Sequence, residues 1–126
     1  ISHTEGLVGI ASCSDFQIGF DLEGYKEKIK SIAQKFLSEQ EINQIKPFET
    51  KRLIPYWCAK EVLYKVSGEI GWQFNQDFHI KSSGRNELIG AIQTTAVPIQ
   101  TLETKIIFKD LGEWCMAVSV TPLKMV

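Results

Sequence analysis

The chain has 126 residues, which fits one domain that buries about two thirds of the surface exposed by its unfolded form. Its formal net charge is −1 and 23% of its residues are charged, so no global basic field draws it to nucleic acid or to an anionic membrane. No apolar stretch approaches the roughly twenty residues that span a bilayer, and no signal-type sequence opens the chain, which predicts a cytoplasmic protein without a membrane partner.

Cysteine and histidine are few and scattered. Cys13, Cys58 and Cys115 lie far apart among apolar neighbours and form no Cys-x-x-Cys pair, which favours buried, reduced thiols over metal or redox work. His3 and His79 are the only histidines, so a zinc site of ordinary composition is not expected. A metal bound to this chain should be a hard cation held by oxygen atoms.

The first apolar runs predict a β-hairpin. They cover residues 6–12 and 16–22, and Ser14 and Asp15 between them form a turn signal. Antiparallel strands joined by a tight turn place their free ends side by side. This hairpin would therefore bring Ser2 and His3 near the end of the second strand.

Two helices are predicted next. From residue 25 to residue 37 the apolar residues recur at steps of three and four, which predicts an amphipathic helix with its lysines towards water. Ser38, followed three residues later by Glu41, is a capping-box signature for a short second helix. That helix should end before Pro47.

A third helix is predicted to form the buried centre of the fold, since it is apolar on most sides. Thr50 is its candidate N-cap, and Gly68 is expected to stop it after about residue 67. Pro55 removes a hydrogen bond from this pattern, so the helix should either begin nearer Leu53 or kink.

After Gly71 the sequence changes to short runs separated by turn residues. The runs cover residues 77–81, 87–94, 103–109 and 113–121, with turns at 82–86 and 110–112. These runs predict antiparallel strands. The sequence as a whole therefore predicts an α+β fold, an antiparallel sheet packed against about three helices, in a single domain over residues 1–126.

Two acidic residues share a face of the predicted second strand. Because side chains alternate along a strand, Asp21 and Glu23 point to one side while Phe20 and Leu22 point to the other. Two carboxylates on one face supply oxygen ligands for a metal ion. A solvent-facing pair at a strand end is the ordinary alternative.

The predicted third helix also carries an acid and a base on one face. Trp57, Glu61 and Lys65 lie at steps of four and project together beside a large aromatic side chain. Glu61 and Lys65 as a plain surface ion pair would contribute only about 0.3–0.5 kcal/mol. On so apolar a helix, an acid and a base side by side suit a metal-bound phosphate better. Lys60 lies about 100° round the helix from Glu61 and is not assigned to that phosphate.

These segments resemble the signatures of the 4′-phosphopantetheinyl transferase superfamily. The family pattern is a strand ending in G-[IV]-D-[IL]-E, followed roughly forty residues later by a helix with Trp-[Ser/Cys]-x-Lys-Glu-x-x-x-Lys. In this chain the two motifs are Gly19-Phe20-Asp21-Leu22-Glu23 and Trp57-Cys58-Ala59-Lys60-Glu61, with Lys65 four residues on. The chain also opens with Ile1-Ser2-His3-Thr4, which resembles the N-I-S-H-S stretch of the longer members.

The resemblance implies a magnesium-dependent reaction. It implies transfer of the 4′-phosphopantetheine arm of coenzyme A to a serine of an acyl or peptidyl carrier protein, with release of adenosine 3′,5′-bisphosphate. It also implies Asp21, Glu23 and Glu61 as magnesium ligands, with Glu61 as the general base. Without a cation, three clustered carboxylates repel one another, and we expect at least one to hold a proton.

The resemblance implies roles for four further residues. Lys65 would act in catalysis by binding the pyrophosphate of coenzyme A, and Ser2 and His3 would hold one of its phosphates, the 3′-phosphate being favoured. Glu41 also matches a family position, but its role in the capping box needs no catalysis and is the favoured interpretation.

The resemblance is to the C-terminal half of the longer, pseudo-duplicated members of the family. Since the chain begins with Ile inside a recognisable motif, we expect residues 1–126 to be the second half of a larger protein, which leaves open whether this half is active alone. A homo-oligomer that mimics the missing half is a further expectation. Two alternatives stay open: a non-catalytic module that binds coenzyme A or a carrier protein, and a structural domain without a ligand.

Overall fold

The computed structural model describes residues 1–12, 16–68, 71–93 and 101–122. Its strands are β1 Ser2–Thr4, β2 Leu7–Gly9, β3 Phe16–Gly24, β4 Phe78–Gly84, β5 Glu87–Gln93, β6 Thr101–Asp110 and β7 Trp114–Pro122. Its helices are α1 Ile29–Phe36, α2 Glu39–Ile45 and α3 Thr50–Ser67.

The main sheet has five antiparallel strands in the order β3-β7-β6-β5-β4, and β1 and β2 form a separate two-stranded sheet. Helix α3 lies on one face of the five-stranded sheet, and its side chains Leu53, Val62 and Leu63 are completely buried in the core between them. The predicted α+β fold, an antiparallel sheet packed against three helices, is confirmed. The four predicted C-terminal strands all form, although Thr94 at the end of one lies outside the described residues.

The predicted N-terminal hairpin is wrong in its pairing. Strand β2 pairs with β1 across a turn in which Gly6 has a φ of 82°, and β3 pairs with β7 instead. The ladder of β3 with β7 covers nine residue pairs, from Phe16 to Gly24, whereas β1 and β2 contribute only three residues each. The backbone groups along one edge of β3 are therefore satisfied by β7, a strand almost a hundred residues later in the sequence. The predicted turn at Ser14 and Asp15 lies outside the described residues.

The two short helices follow their local signals. At the start of α2, the Ser38 amide donates to Glu41 Oε1 at 2.8 Å and the Glu41 amide donates to Ser38 Oγ at 3.2 Å, so the capping box is confirmed. Helix α2 ends at Ile45, before Pro47, as expected. Helix α1 begins at Ile29, four residues later than predicted, because residues 25–26 have no regular structure and residues 27–28 form a turn.

The central helix α3 has the predicted end but a different start. Gly68 adopts a left-handed conformation with a φ of 67° and stops the helix after residue 67. Thr50 is the first helical residue, not the cap, and Glu49 occupies the cap position without a side-chain hydrogen bond. Pro55 lies inside the helix, so the alternative of a start near Leu53 is wrong.

Two glycines allow α3 to lie directly on the sheet. A Cβ added at Gly19 in β3 would come within 2.7 Å of both Cγ1 and the carbonyl oxygen of Val62. A Cβ at Gly90 in β5 would come within 2.8 Å of Ile106 Cδ1 and 3.0 Å of Leu63 Cδ2. At Gly19 one of these atoms belongs to the backbone of α3, so a side chain there would force the helix away from the sheet. At Gly90 the near atoms are the ends of the Ile106 and Leu63 side chains, which would have to shift.

A buried ion pair closes the β4 edge of the sheet. Lys60 Nζ donates to Glu41 Oε1 at 2.6 Å, to the Phe74 carbonyl at 2.7 Å and to the Phe78 carbonyl at 2.9 Å. Glu41 Oε2 accepts from the Ile80 amide at 2.7 Å. The Lys60 and Glu41 side chains, 0% and 4% exposed, therefore take the place of a neighbouring strand. Lys60 is fully committed here, which agrees with its exclusion from the phosphate site.

Buried cysteines contribute to the same core. Cys58 on α3 and Cys115 on β7 are free and buried, and the Cys58 thiol donates to the Cys115 carbonyl at 3.8 Å. The prediction of buried, reduced thiols is confirmed for these two residues. Cys13 lies outside the described residues.

Replacement of Gly19 by Ala should destabilise the chain by about 1–3 kcal/mol, because the new methyl group overlaps Val62 and forces α3 away from β3. The measurement is the urea midpoint at constant slope. Gly24→Ala on the same strand is the matched control, since a Cβ there would come no closer than 3.7 Å to Lys26 Cε. Equal midpoints for the two variants would contradict the close-contact explanation.

Replacement of Lys60 by Met should cost about 3–5 kcal/mol, because it leaves the buried Glu41 carboxylate without its cation. Adding Glu41→Gln should recover part of this loss in urea unfolding. The control is Lys51→Met, which removes an ion pair whose side chains are both 53% exposed, a hydrogen bond to the Gly112 carbonyl and a contact with the Tyr25 ring. It should cost less, about 1–2 kcal/mol, because these contacts are exposed. A Lys60→Met variant no less stable than Lys51→Met would show that the buried pair is unimportant.

Candidate active site

Asp21 is the centre of the candidate site. It lies on the face of β3 that contacts α3, and only 4% of its surface is exposed, which excludes the ordinary solvent-facing interpretation. Its Oδ1 accepts from Ser2 Oγ at 3.2 Å and from Lys65 Nζ at 3.1 Å. Asp21 Oδ2 is also buried, but it has no hydrogen-bond partner among the described residues. A buried carboxylate oxygen without a partner is rare and requires an explanation.

Glu23 lies beside Asp21 on the same face of the strand. Burial first, and then the charge of Asp21, raise the pKa of Glu23 to about 8. A hydrogen bond from Trp57 opposes this rise in pKa. The direction of this shift agrees with the expectation that one of the clustered acids holds a proton in the absence of a cation, which stays a prediction.

Glu61 approaches the same place from α3. Burial first, and then the charge of Asp21, raise the pKa of Glu61, while Lys65 one turn later lowers it. The charge of Glu61 in turn contributes to the raised pKa of Glu23. The three predicted acids thus converge closely enough for their charges to interact.

Lys65 joins the helix to the strand. Its Nζ donates to the Phe20 carbonyl at 2.7 Å and to Asp21 Oδ1 at 3.1 Å. The ion pair that it forms in the structure is thus with Asp21 on the strand. Because 33% of the Lys65 side chain is exposed, the ammonium group remains accessible to a ligand from the solvent side.

Ser2 and His3 occupy different environments. Ser2 Oγ is buried, donates to Asp21 Oδ1 and accepts from the Leu22 amide at 3.0 Å. His3 is exposed. The structure therefore places Ser2 at the acids, as predicted, although through packing of β1 on β3 instead of a hairpin. Phosphate binding by these two residues remains a prediction.

Trp57 connects the acids to an aromatic cluster. Its ring lies 5.1 Å from Phe36 and 5.6 Å from Phe74, measured between centroids, so Trp57 packs against the core. Its contact with Glu23 was not predicted. The available signal was its position one turn before Glu61. A cavity of about 220 Å³ adjoins Glu23 and Trp57 and is also lined by Lys26, Lys28, Ile29 and Ile32.

The donor set fits magnesium in its chemistry. Mg²⁺ binds oxygen atoms and keeps several waters, so it needs few protein carboxylates. Asp21 Oδ2 is a buried oxygen without a partner among the described residues, and a cation would relieve the repulsion that, together with burial, raises the pKa values of Glu23 and Glu61. Across residues 1–12, 16–68, 71–93 and 101–122, no three His, Cys, Asp or Glu side chains already form a metal-binding cluster. The fit therefore depends on Asp21 Oδ2 and the surrounding charge.

Comparison with known proteins identifies the family. A family model described as the 4′-phosphopantetheinyl transferase superfamily matches residues 17–119, most of the chain. The chain belongs to the 4′-phosphopantetheinyl transferase superfamily, as its motifs predicted. Its family uses coenzyme A as a substrate and carrier proteins as partners. A search of curated proteins found no match. In the described part of the chain, no helix has the length and apolar character needed to cross a membrane.

Replacement of Glu23 by Gln should stabilise the metal-free chain in alkali but not in acid. A carboxyl group whose pKa rises on folding, here from 4.5 to about 8, contributes stability below its unfolded pKa and loses it as the pH rises through its folded pKa. Gln mimics the protonated group at every pH. We expect the Tm of the variant to exceed that of the parent by a few degrees at about pH 8.5 and to match it at about pH 5.

The matched control is Glu103→Gln, a neutralisation on an exposed position of β6. It should change the Tm little at both pH values. A Glu23→Gln effect that is independent of pH would show that Glu23 does not carry the extra proton.

Proposed function

We propose that this chain transfers the 4′-phosphopantetheine arm of coenzyme A to a serine hydroxyl of an acyl or peptidyl carrier protein, with magnesium, and releases adenosine 3′,5′-bisphosphate. The observation that carries the proposal is the buried Asp21 carboxylate, whose Oδ2 has no partner within the described part of the chain, while the charges of Glu23, Glu61 and Lys65 act on the same place. Family membership over residues 17–119 supports the same reaction class.

The acids of β3 are proposed to hold the cation. Asp21 would ligate through Oδ2, with Glu23 and Glu61 beside it. Magnesium, when bound, would neutralise the charge of the pyrophosphate and of the departing phosphate. The protein contributes a rigid strand, since β3 is paired with β7 along its whole length. This rigidity fixes Asp21 before the substrate arrives.

Glu61 is proposed as the general base. The carrier serine oxygen forms a bond to the β-phosphorus of coenzyme A, and the bond from that phosphorus to the bridging oxygen breaks. The serine proton passes to Glu61, directly or through a water molecule, and the electron pair of the broken bond stays on adenosine 3′,5′-bisphosphate. Glu61 suits this step because it projects from the accessible side of α3 and is only half-buried.

Lys65 is proposed to stabilise the charge that develops on the pyrophosphate. Its ammonium group already lies 3.1 Å from Asp21 Oδ1 and remains partly exposed, so a bound phosphate oxygen would meet a positioned cation. Fixed charges aimed at developing negative charge commonly contribute two to three orders of magnitude in rate, or about 3–4 kcal/mol. His3, exposed on β1, is proposed to contact a peripheral phosphate of coenzyme A.

The direct test incubates the chain with an apo carrier protein, coenzyme A and Mg²⁺ and detects the added phosphopantetheine by mass spectrometry. We expect transfer by the parent chain and a loss of roughly 10²-fold or more in kcat for Glu61→Gln, because the base is removed. Lys65→Met should reduce kcat by a similar factor.

The controls are Glu103→Gln and Lys81→Met, which make the same changes at exposed positions of the sheet. Both should retain the parent rate. Coenzyme A binding by calorimetry without any transfer would contradict the proposal and favour a non-catalytic binding module. Absence of both binding and transfer would favour a structural domain.

A further inference from the structure

The hydroxyl group of Ser2 makes two hydrogen bonds with residues at the end of β3. Ser2 is only 5% exposed, its Oγ accepts a hydrogen bond from the Leu22 amide at 3.0 Å, and it donates to Asp21 Oδ1 at 3.2 Å. A serine hydroxyl has one proton to donate. Ser2 cannot give this proton to Asp21 and to a phosphate oxygen at the same time.

The two oxygens of Asp21 are used in different ways. Ser2 and Lys65 both donate to Oδ1, at 3.2 Å and 3.1 Å, while the buried Oδ2 has no partner among the described residues. Two donors on one oxygen fix the rotation of the carboxyl group. They also leave Oδ2 as the one oxygen of Asp21 that has no partner among the described residues.

We propose that Ser2 is a positioning residue of the cation site, which holds Asp21 Oδ1 so that Oδ2 is presented to the metal ion. This inference rests on the proposed magnesium-dependent function and replaces the phosphate contact that the family resemblance implied for Ser2. The neighbouring His3 is exposed and has no such commitment, so it remains the phosphate contact of β1. Ser2 acts through Asp21 and does not touch the reacting atoms.

The first test measures cation affinity without coenzyme A, by titrating the chain with Mn²⁺ in electron paramagnetic resonance and with Mg²⁺ in calorimetry. Loss of a residue that orients a metal ligand typically weakens metal binding by roughly 10–100-fold. We expect Ser2→Ala to show a loss in this range, and Ser2→Thr, which keeps the hydroxyl, to retain the parent affinity. His3→Ala is the matched control and should not change cation affinity.

The second test separates positioning from phosphate binding. Values of kcat/KM are compared for coenzyme A and for its analogue without the 3′-phosphate. A positioning role predicts that Ser2→Ala lowers kcat/KM by the same factor with both substrates and raises the Mg²⁺ concentration needed for half-maximal rate. A contact between Ser2 and the 3′-phosphate predicts a loss with coenzyme A alone, and that result would overturn the proposal.

Folding is checked separately, because Ser2 also binds the Leu22 amide. The Tm without metal is measured for each variant, and Ser2→Cys provides a variant of similar size with a weaker donor if Ser2→Ala does not fold. Unchanged Mn²⁺ affinity in a folded Ser2→Ala or Ser2→Cys variant would overturn the inference. A parent chain that binds Mn²⁺ but transfers no phosphopantetheine would contradict the proposed reaction but not the role of Ser2. A parent chain that binds neither Mn²⁺ nor Mg²⁺ would contradict both the proposed reaction and the role of Ser2.

Discussion

The structure depends on the direct contact between α3 and the five-stranded sheet. The contact is made where the sheet has no side chains, at Gly19 under Val62 and at Gly90 under Leu63. Packed interiors do not absorb an extra methyl group without moving the backbone. The depth of α3 is thus fixed, and this depth decides whether Lys65 reaches Asp21 on β3.

The same helix closes both edges of the sheet. Edge strands expose backbone N–H and C=O groups that would otherwise pair with other chains. Lys60 donates to the Phe78 carbonyl of β4, and Lys65 donates to the Phe20 carbonyl of β3. These two strands are the outermost ones, and the two lysines are only five residues apart. Edge protection and site construction are therefore properties of one helix in one position.

Local sequence patterns predicted the features that depend on residues close together in the chain. The period of the helix placed Glu61 and Lys65 on one face, and the capping box located α2 from its first residues. Pairings across the chain had no such signal. Strand β3 pairs with β7 almost a hundred residues later, and the N-terminal hairpin was wrong for that reason. Likewise, no residue near Lys60 in the sequence indicates that it is buried against Glu41, since the burial of a lysine is decided by tertiary contacts alone.

The two lysine–carboxylate pairs of α3 differ in how completely they are satisfied. Lys60 has three acceptors, and both oxygens of Glu41 are bonded, so that pair needs no further ligand. Asp21 keeps one buried oxygen without a partner among the described residues, and burial and the charge of Asp21 raise the pKa of Glu23 beside it to about 8. Buried polar groups are nearly always satisfied in native folds, and the exceptions concentrate at functional sites. The Lys60–Glu41 pair fixes α3 at the β4 edge of the sheet. The fold therefore tolerates an incomplete Lys65–Asp21 pair at the β3 edge, and a cation and a phosphate would complete that pair.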